Sequence, residues 1–288
     1  MDIKKILEDT GVELLRRASI NLPNDVFSAL KKAYEEETSE IGKSQLSAIL
    51  ENIRLAEEIK TPICQDTGLM IFYATIGSDF GDFSELPEAL IDATRRATRD
   101  IPLRPNAVHP LTRKNPGDNV GVGVPVVTYD IVKGDYIELT ALPKGGGSEN
   151  MSVLKMLTPS EGVKGLKKFV IDTIVDSGGK PCPPTIIGIG IGGVSDTAVK
   201  LAKKALLRPI DQHNPDKEIA DLEKELLGMV NSTGVGPMGL GGKYTALGLN
   251  IEYAYCHTTA LPVGINIQCW CGRRAKAKIH KDGRVEYM

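Results

Sequence analysis

Cys64, Gln65 and Asp66 stand side by side between Pro62 and Gly68 in the run TPICQDTG. Together they offer a soft thiolate, an amide that both donates and accepts, and a carboxylate that can carry a proton. The flanking proline and glycine favour a turn that presents all three. A cysteine by itself reads equally well as a small buried hydrophobe, so the weight falls on what else the chain carries. Cys182 lies between Pro181 and Pro183 in KPCPP, where no helix can continue, and this rigid loop at the mouth of TIIGIGI suits ligation better than packing. Cys269 and Cys271 share one face of a strand, because side chains alternate with period two, and spacing does not choose between them. His257 directly follows Cys256, so in extended chain the two point to opposite faces, His257 toward chemistry and Cys256 into the packing. Prolines 102, 105 and 110 impose an extended loop that projects Arg104 and His109, and a guanidinium can clamp a carboxylate through two parallel hydrogen bonds. Gly145, Gly146 and Gly147, between Lys144 and Ser148, let backbone amides converge as a nest for an anionic group. Three loop-placed cysteines beside Asp66, Arg104, His257 and such a nest suit an iron–sulfur cluster with one iron left open to substrate.

The elements that must hold these residues follow from periodicity. Residues 2–60 carry apolar side chains at helical spacing (Ile3, Ile6, Leu7; Val26, Leu30, Tyr34; Leu46, Ile49, Leu50, Ile53) and read as an N-terminal helical segment, with Pro23 or Asn24 opening its second helix. LMIFYATIG reads as a buried strand ending at Gly77, which puts the Cys64 turn at a helix-to-strand junction. Residues 84–99 read as a helix with Pro87 in its first turn. GVPVVTYDIV and YIELTALP, separated by VKGD, read as a hairpin that delivers the glycine triplet. Residues 160–175 read as a helix. Glycines 188, 190, 192 and 193 before SDTAVKLAKKALL imitate a nucleotide-binding turn, but no acidic residue closes a second strand, so they read as close packing and an anion-friendly helix start. A helix near 216–230, a glycine-rich loop, and the strands ALGLNIEYAY, VGINIQCW and RRAKAKIHKDGRVEY complete the chain, the last with a hairpin turn at KDGR. Arg274, Lys276 and Lys278 read as a solvated strand face. The expected fold is mixed α/β (α+β): N-terminal helices over 1–60 packed on a mixed-sheet domain over 61–288, the whole forming one continuous domain.

A chain of 288 residues with 41% hydrophobic and 25% charged residues and a net charge of −2 can bury a large core and has no basic excess for nucleic acid. No run is long enough to span a membrane, and the N-terminus resembles neither a secretory signal nor a transit peptide, so a cytoplasmic location is expected. Five scattered cysteines argue against a secreted disulfide framework and for metal binding or catalysis.

ICQDTG, Leu103-Arg104, KGGGSEN, KPCPP with GIGIGG, and CHTTALPVGINIQC with KAKI, in this order from about residue 40 to 280, closely resemble the α-type catalytic region of class I fumarate hydratases and L(+)-tartrate dehydratases. The resemblance implies a 4Fe–4S cluster held by Cys64, Cys182 and Cys269 with one open iron, Cys271 being an extra cysteine. It carries the family's active-site residues onto Gln65, Asp66, Arg104 and His257. By implication Asp66 donates the proton to the departing oxygen, Gln65 orients, Arg104 and the nest at Gly145 and Gly146 hold carboxylate, and His257 contacts substrate or assists Asp66. TTAL at 258–261 departs from the small, glycine-containing turn of many members and is expected to reshape one pocket wall. Because the sequence ends at Met288, where single-chain members continue into a second domain, the resemblance implies an α subunit that needs a separate β subunit, in an α2β2 assembly. The expected reaction is reversible dehydration of (S)-malate to fumarate, a tricarboxylic acid cycle step, with L(+)-tartrate to oxaloacetate as the alternative. The rival readings are a structural zinc protein using Cys256, His257, Cys269 and Cys271, and a noncatalytic scaffold subunit.

Overall fold

The structure, a computed structural model, describes residues 2–288. The chain divides into two compact units, one of residues 2–23, 52–146 and 273–288 and the other of 24–51 and 147–272. It mixes helices with two sheets, the fold class expected. Among the described residues no helix is long and apolar enough to cross a membrane.

The first unit is a five-stranded sheet in the order β2-β1-β3-β8-β9, with β1 at Ile71–Gly77, β2 at Val126–Val132, β3 at Tyr136–Ala141, β8 at Ala275–His280 and β9 at Val285–Tyr287. Helices α1 (Ile3–Ile20) and α4 (Leu86–Asp100) cover one face. They meet closely where Gly11 faces Ala93, since a Cβ on Gly11 would lie 2.8 Å from that of Ala93. Pro87 sits in the first turn of α4, as its fixed φ favours.

The expected hairpin does not form. β1 lies between β2 and β3, parallel to the first and antiparallel to the second. This mostly buried strand is paired on both edges, and the turn at 133–135 arches over its end. Gly77 makes that possible: a Cβ there would lie 2.4 Å from the carbonyl oxygen of Gly134.

The second unit is a four-stranded sheet in the order β4-β7-β5-β6, comprising β4 (Val153–Leu157), β5 (Thr185–Ile191), β6 (Ala246–Tyr253) and β7 (Leu261–Gln268). The sequence reading passed over β4, whose exposed edge position blurs its apolar pattern. Helices α6 (Gly162–Ser177) and α8 (Lys217–Asn231) pack against one apolar face, and α2 (Asn24–Glu36) and the first part of α3 (Glu40–Ile59) also belong to this unit. On the other face α7 (Ser195–Ala205) lies on a track of glycines, where Cβ atoms on Gly188 and Gly190 would fall 2.1 and 2.0 Å from the carbonyl oxygens of Ala202 and Ala198. Close packing therefore explains GIGIGG. The amides of Gly192 and Gly193, just before the helix, are spent on Pro262 O and Tyr255 O.

Candidate active site

The Cys64 turn is held from both ends. Ile63 N donates to Ser19 O at 2.9 Å, and Asn52 Nδ2 donates to Ile63 O at 2.8 Å. On the far side Leu69 and Lys144 exchange backbone hydrogen bonds of 2.9 and 3.0 Å. Gly68, at φ +88°, lets the turn press onto that segment, since a Cβ would lie 2.7 Å from Lys144 N. The CQDTG turn thus rests on the glycine triplet.

Asp66 is half-buried, and each of its carboxylate oxygens has donors. Oδ1 accepts from Gly68 N at 3.0 Å and Asn106 Nδ2 at 3.3 Å, and Oδ2 accepts from Gly146 N at 2.7 Å. Of the glycine-triplet amides, that of Gly146 is thus directed at the protein's own Asp66 carboxyl group. Residues 146–149 continue as a single helical turn, α5 (Gly146–Glu149). Gln65 is exposed beside Asp66.

Arg104 reaches the same turn through its backbone, with Arg104 N donating to Thr67 Oγ1 at 3.0 Å, while its side chain is exposed. Asn119 is the hub of this loop. Fully buried and at φ +61°, it accepts from Asn106 N at 2.6 Å and Ala107 N at 3.2 Å, and donates to Arg104 O at 2.9 Å and Thr98 Oγ1 at 3.1 Å. His109 instead closes its own loop, its Nδ1 accepting from Leu111 N and Thr112 N at 3.2 Å each.

In the second unit Cys182 adopts φ +56°, a left-handed conformation that is strained for a residue with a side chain and that concentrates at functional sites. Its amide donates to Gly179 O at 3.0 Å, and its carbonyl accepts from Trp270 N at 3.2 Å. The 269–272 segment is thereby tied to the KPCPP loop. The glycine-rich loop after α8 backs it, with Met238 N donating to Pro183 O at 2.7 Å. Cys269 is half-buried and Cys271 buried. They do not share a strand face, because β7 ends at Gln268 and a turn follows, closed by Gly272 N to Cys269 O at 3.0 Å.

Residues 254–260 likewise form a turn. Cys256 is exposed, its Sγ donating to Ala260 O at 3.1 Å, rather than packed as the strand reading expected. His257 is exposed, and its Nδ1 accepts from Thr259 N at 3.2 Å with Thr259 Oγ1 at 2.8 Å. With Nδ1 accepting, the neutral ring carries its proton on Nε2. TTAL thus supplies the residue that orients the histidine.

No three His, Cys, Asp or Glu side chains are gathered as a metal-ion cage among the described residues. The zinc quartet of Cys256, His257, Cys269 and Cys271, all within one unit, is not assembled. The cysteines form no disulfide. Cys64 in the first unit and Cys182 and Cys269 in the second each stand in a loop, and soft thiolates are the ligand type an iron–sulfur group takes. Gln268, immediately before Cys269, is 2% exposed, and neither its Oε1 nor its Nε2 has a hydrogen-bond partner. A buried orphaned amide beside a cysteine fits a site completed by a bound group.

The sequence reading missed Asn106, Asn119 and Arg273. Asn119 had a signal in NPGDNVG, where asparagine tolerates a positive φ, but its four partners are long-range.

A family profile described as fumarate hydratase (fumerase) matches residues 8–278. A protein of Methanocaldococcus jannaschii, provisionally named L(+)-tartrate dehydratase subunit alpha, is 53% identical over 97% of this chain and 99% of its own length. Proteins named L(+)-tartrate dehydratase subunit alpha from Escherichia coli strains UTI89 and K12 are 39% and 38% identical, each over 94% of this chain and 89% of their own length.

Proposed function

The chain belongs to the fumarate hydratase (fumerase) family of hydro-lyases, and on that basis we propose that it is the α subunit of an iron–sulfur enzyme that reversibly dehydrates (S)-malate to fumarate. A second reading, L(+)-tartrate to oxaloacetate, is favoured by the names of its relatives. The proposed partner is a β subunit in an α2β2 assembly, and the proposed setting is the cytoplasm and, for malate, the tricarboxylic acid cycle. The observation that carries the reading is Asp66, fixed by three donors in the turn that also bears Cys64.

Cys64, Cys182 and Cys269 are the proposed ligands of a 4Fe–4S cluster, which when bound supplies a Lewis acid to the substrate hydroxyl through its open iron. Arg104 pairs with a substrate carboxylate, and Gln65 beside it orients the hydroxyl-bearing end. Asp66 hands its proton to the oxygen as the carbon–oxygen bond breaks, so hydroxide leaves as water. His257, with Nε2–H turned to donate, contacts substrate. The carbon-bound proton goes to a base on the β subunit. Gly146 contributes through the direction it gives Asp66, and Gly145 through the space left by its missing side chain.

Anaerobic reconstitution with iron and sulfide in the presence of the β subunit, followed by absorption and EPR spectra and assays with malate and L(+)-tartrate, tests this reading. The expected result is a cluster with one labile iron and partner-dependent dehydration. Zinc binding, or no metal and no turnover, would overturn it.

A further inference from the structure

Arg273 is the largest fully enclosed side chain among the described residues, 1% exposed. A guanidinium is costly to bury unless its donors are aimed at fixed acceptors. Here Nη1 donates to the main-chain carbonyl of Asp66 at 2.6 Å. The sheet delivers it: Ala275 pairs with Ala141 in the β3–β8 register, and continuing that register brings Arg273 alongside Pro143–Gly145. A Cβ on Gly145 would lie 3.0 Å from Arg273 Nη2 and 3.1 Å from Asp66 Oδ2. Guanidinium and carboxylate therefore face each other across a gap that exists because residue 145 is glycine. The next residue, Arg274, immediately before β8, is half-exposed, so the pair Arg273-Arg274 divides into an inner and an outer charge.

We propose that Arg273 is a positioning residue for Asp66, locking the peptide from which the carboxyl group projects and thereby fixing the direction of that group. The inference rests on the role of Asp66 given above. Nη1 holds the Asp66 carbonyl while Nη2 lies on the Gly145 side, so the two ends of the guanidinium address different groups. A lysine preserves the charge but has a single point from which to donate, so the two are not interchangeable here. Misplacing a reacting group by about 1 Å can cost on the order of 10²-fold in rate.

The test compares the reconstituted two-subunit enzyme carrying Arg273→Lys with one carrying Gly145→Ala, which crowds the same gap from the other side while residue 273 stays arginine. Both are expected to lower kcat about 10²-fold while KM and iron and sulfide content stay at the parent values. Added to Asp66→Asn, neither should lower kcat further, because groups that act as a unit are not additive. A rise in KM at parental kcat would make Arg273 a substrate contact and overturn the proposal. A loss of activity that tracks lost iron or a lower melting temperature would overturn it as well, leaving a structural role. Should the parent enzyme dehydrate neither substrate, the reaction assignment fails but the positioning is still readable. The amide proton of Gly146, bonded to Asp66 Oδ2, should shift in the NMR spectrum of full-length Arg273→Lys, and an unmoved resonance would refute the inference.

Discussion

Asn119 shows how much of a site can depend on one side chain that never meets a ligand. Its amide satisfies donors and acceptors at Asn106, Ala107, Arg104 and Thr98, in a backbone conformation that penalises most residues. Asn119→Ala strands several buried groups, each worth roughly 1–3 kcal/mol when unsatisfied, and adds the strain of a positive φ. Asn119→Gly loses the same bonds without that strain. Urea denaturation should place alanine below glycine by about 1 kcal/mol, and equal stabilities would show that φ plays no part. Both variants should raise KM, since the loop that carries Arg104 loses its internal brace. The turn at Asp66 and the proline-spaced loop at Arg104 were legible because their residue types announce them locally. Asn106, Asn119 and Arg273 were not, because what they do is defined by partners 40, 21 and 207 residues away.

At the level of elements, the glycine-rich loop after α8 is organised by an acid. Glu37, 4% exposed, accepts backbone hydrogen bonds from Thr38, Ser39, Lys243 and Tyr244. Burial works against its ionisation, but the bonds from Ser39, Lys243, Thr38 and Tyr244 outweigh it and hold its pKa below the ordinary glutamate value of 4.5. A carboxylate whose pKa is depressed by folding stabilises above its unfolded value and loses that contribution as pH falls through the folded one. Melting temperature measured from pH 6 to pH 3 should therefore fall more steeply for the parent than for Glu37→Gln, which should start lower at pH 6; parallel curves would refute the anchor. Most elements could be read from the sequence because helical spacing and a mainly apolar strand run are local signals, as in α1 (Ile3–Ile20), α4 (Leu86–Asp100) and β1 (Ile71–Gly77). The false hairpin between β2 and β3 came from an assumption about pairing, which local pattern does not encode. The extended reading of 254–260 failed for a similar reason: alternation was assumed where backbone bonds such as Ala260 N to His257 O close a turn.

Each of the two units encloses its own apolar cluster, one around Leu14, Phe72 and Leu139, the other around Ile187, Leu226 and Ile265. Neither apolar cluster includes a cysteine, so each core is assembled without the thiols proposed to hold a metal. Exposure of the reconstituted enzyme to air should abolish dehydration while far-UV circular dichroism and melting temperature stay near the parent values, and iron, sulfide and a reductant should restore turnover. Unfolding in step with inactivation would mean that the cluster is a structural staple.

The left-handed backbone of Cys182 sets two kinds of selection against each other. Every residue with a side chain bears a cost of roughly 1–2 kcal/mol in that conformation, and glycine alone escapes it. A library randomised at position 182 and sorted for folded, protease-resistant protein should drift toward glycine, whereas one sorted for growth on the substrate should return cysteine. Mutation pressure therefore has a downhill route from enzyme to well-folded relic through a single codon, and a homologue with glycine at this position would be recognisable as a chain that has kept its architecture and given up its reaction.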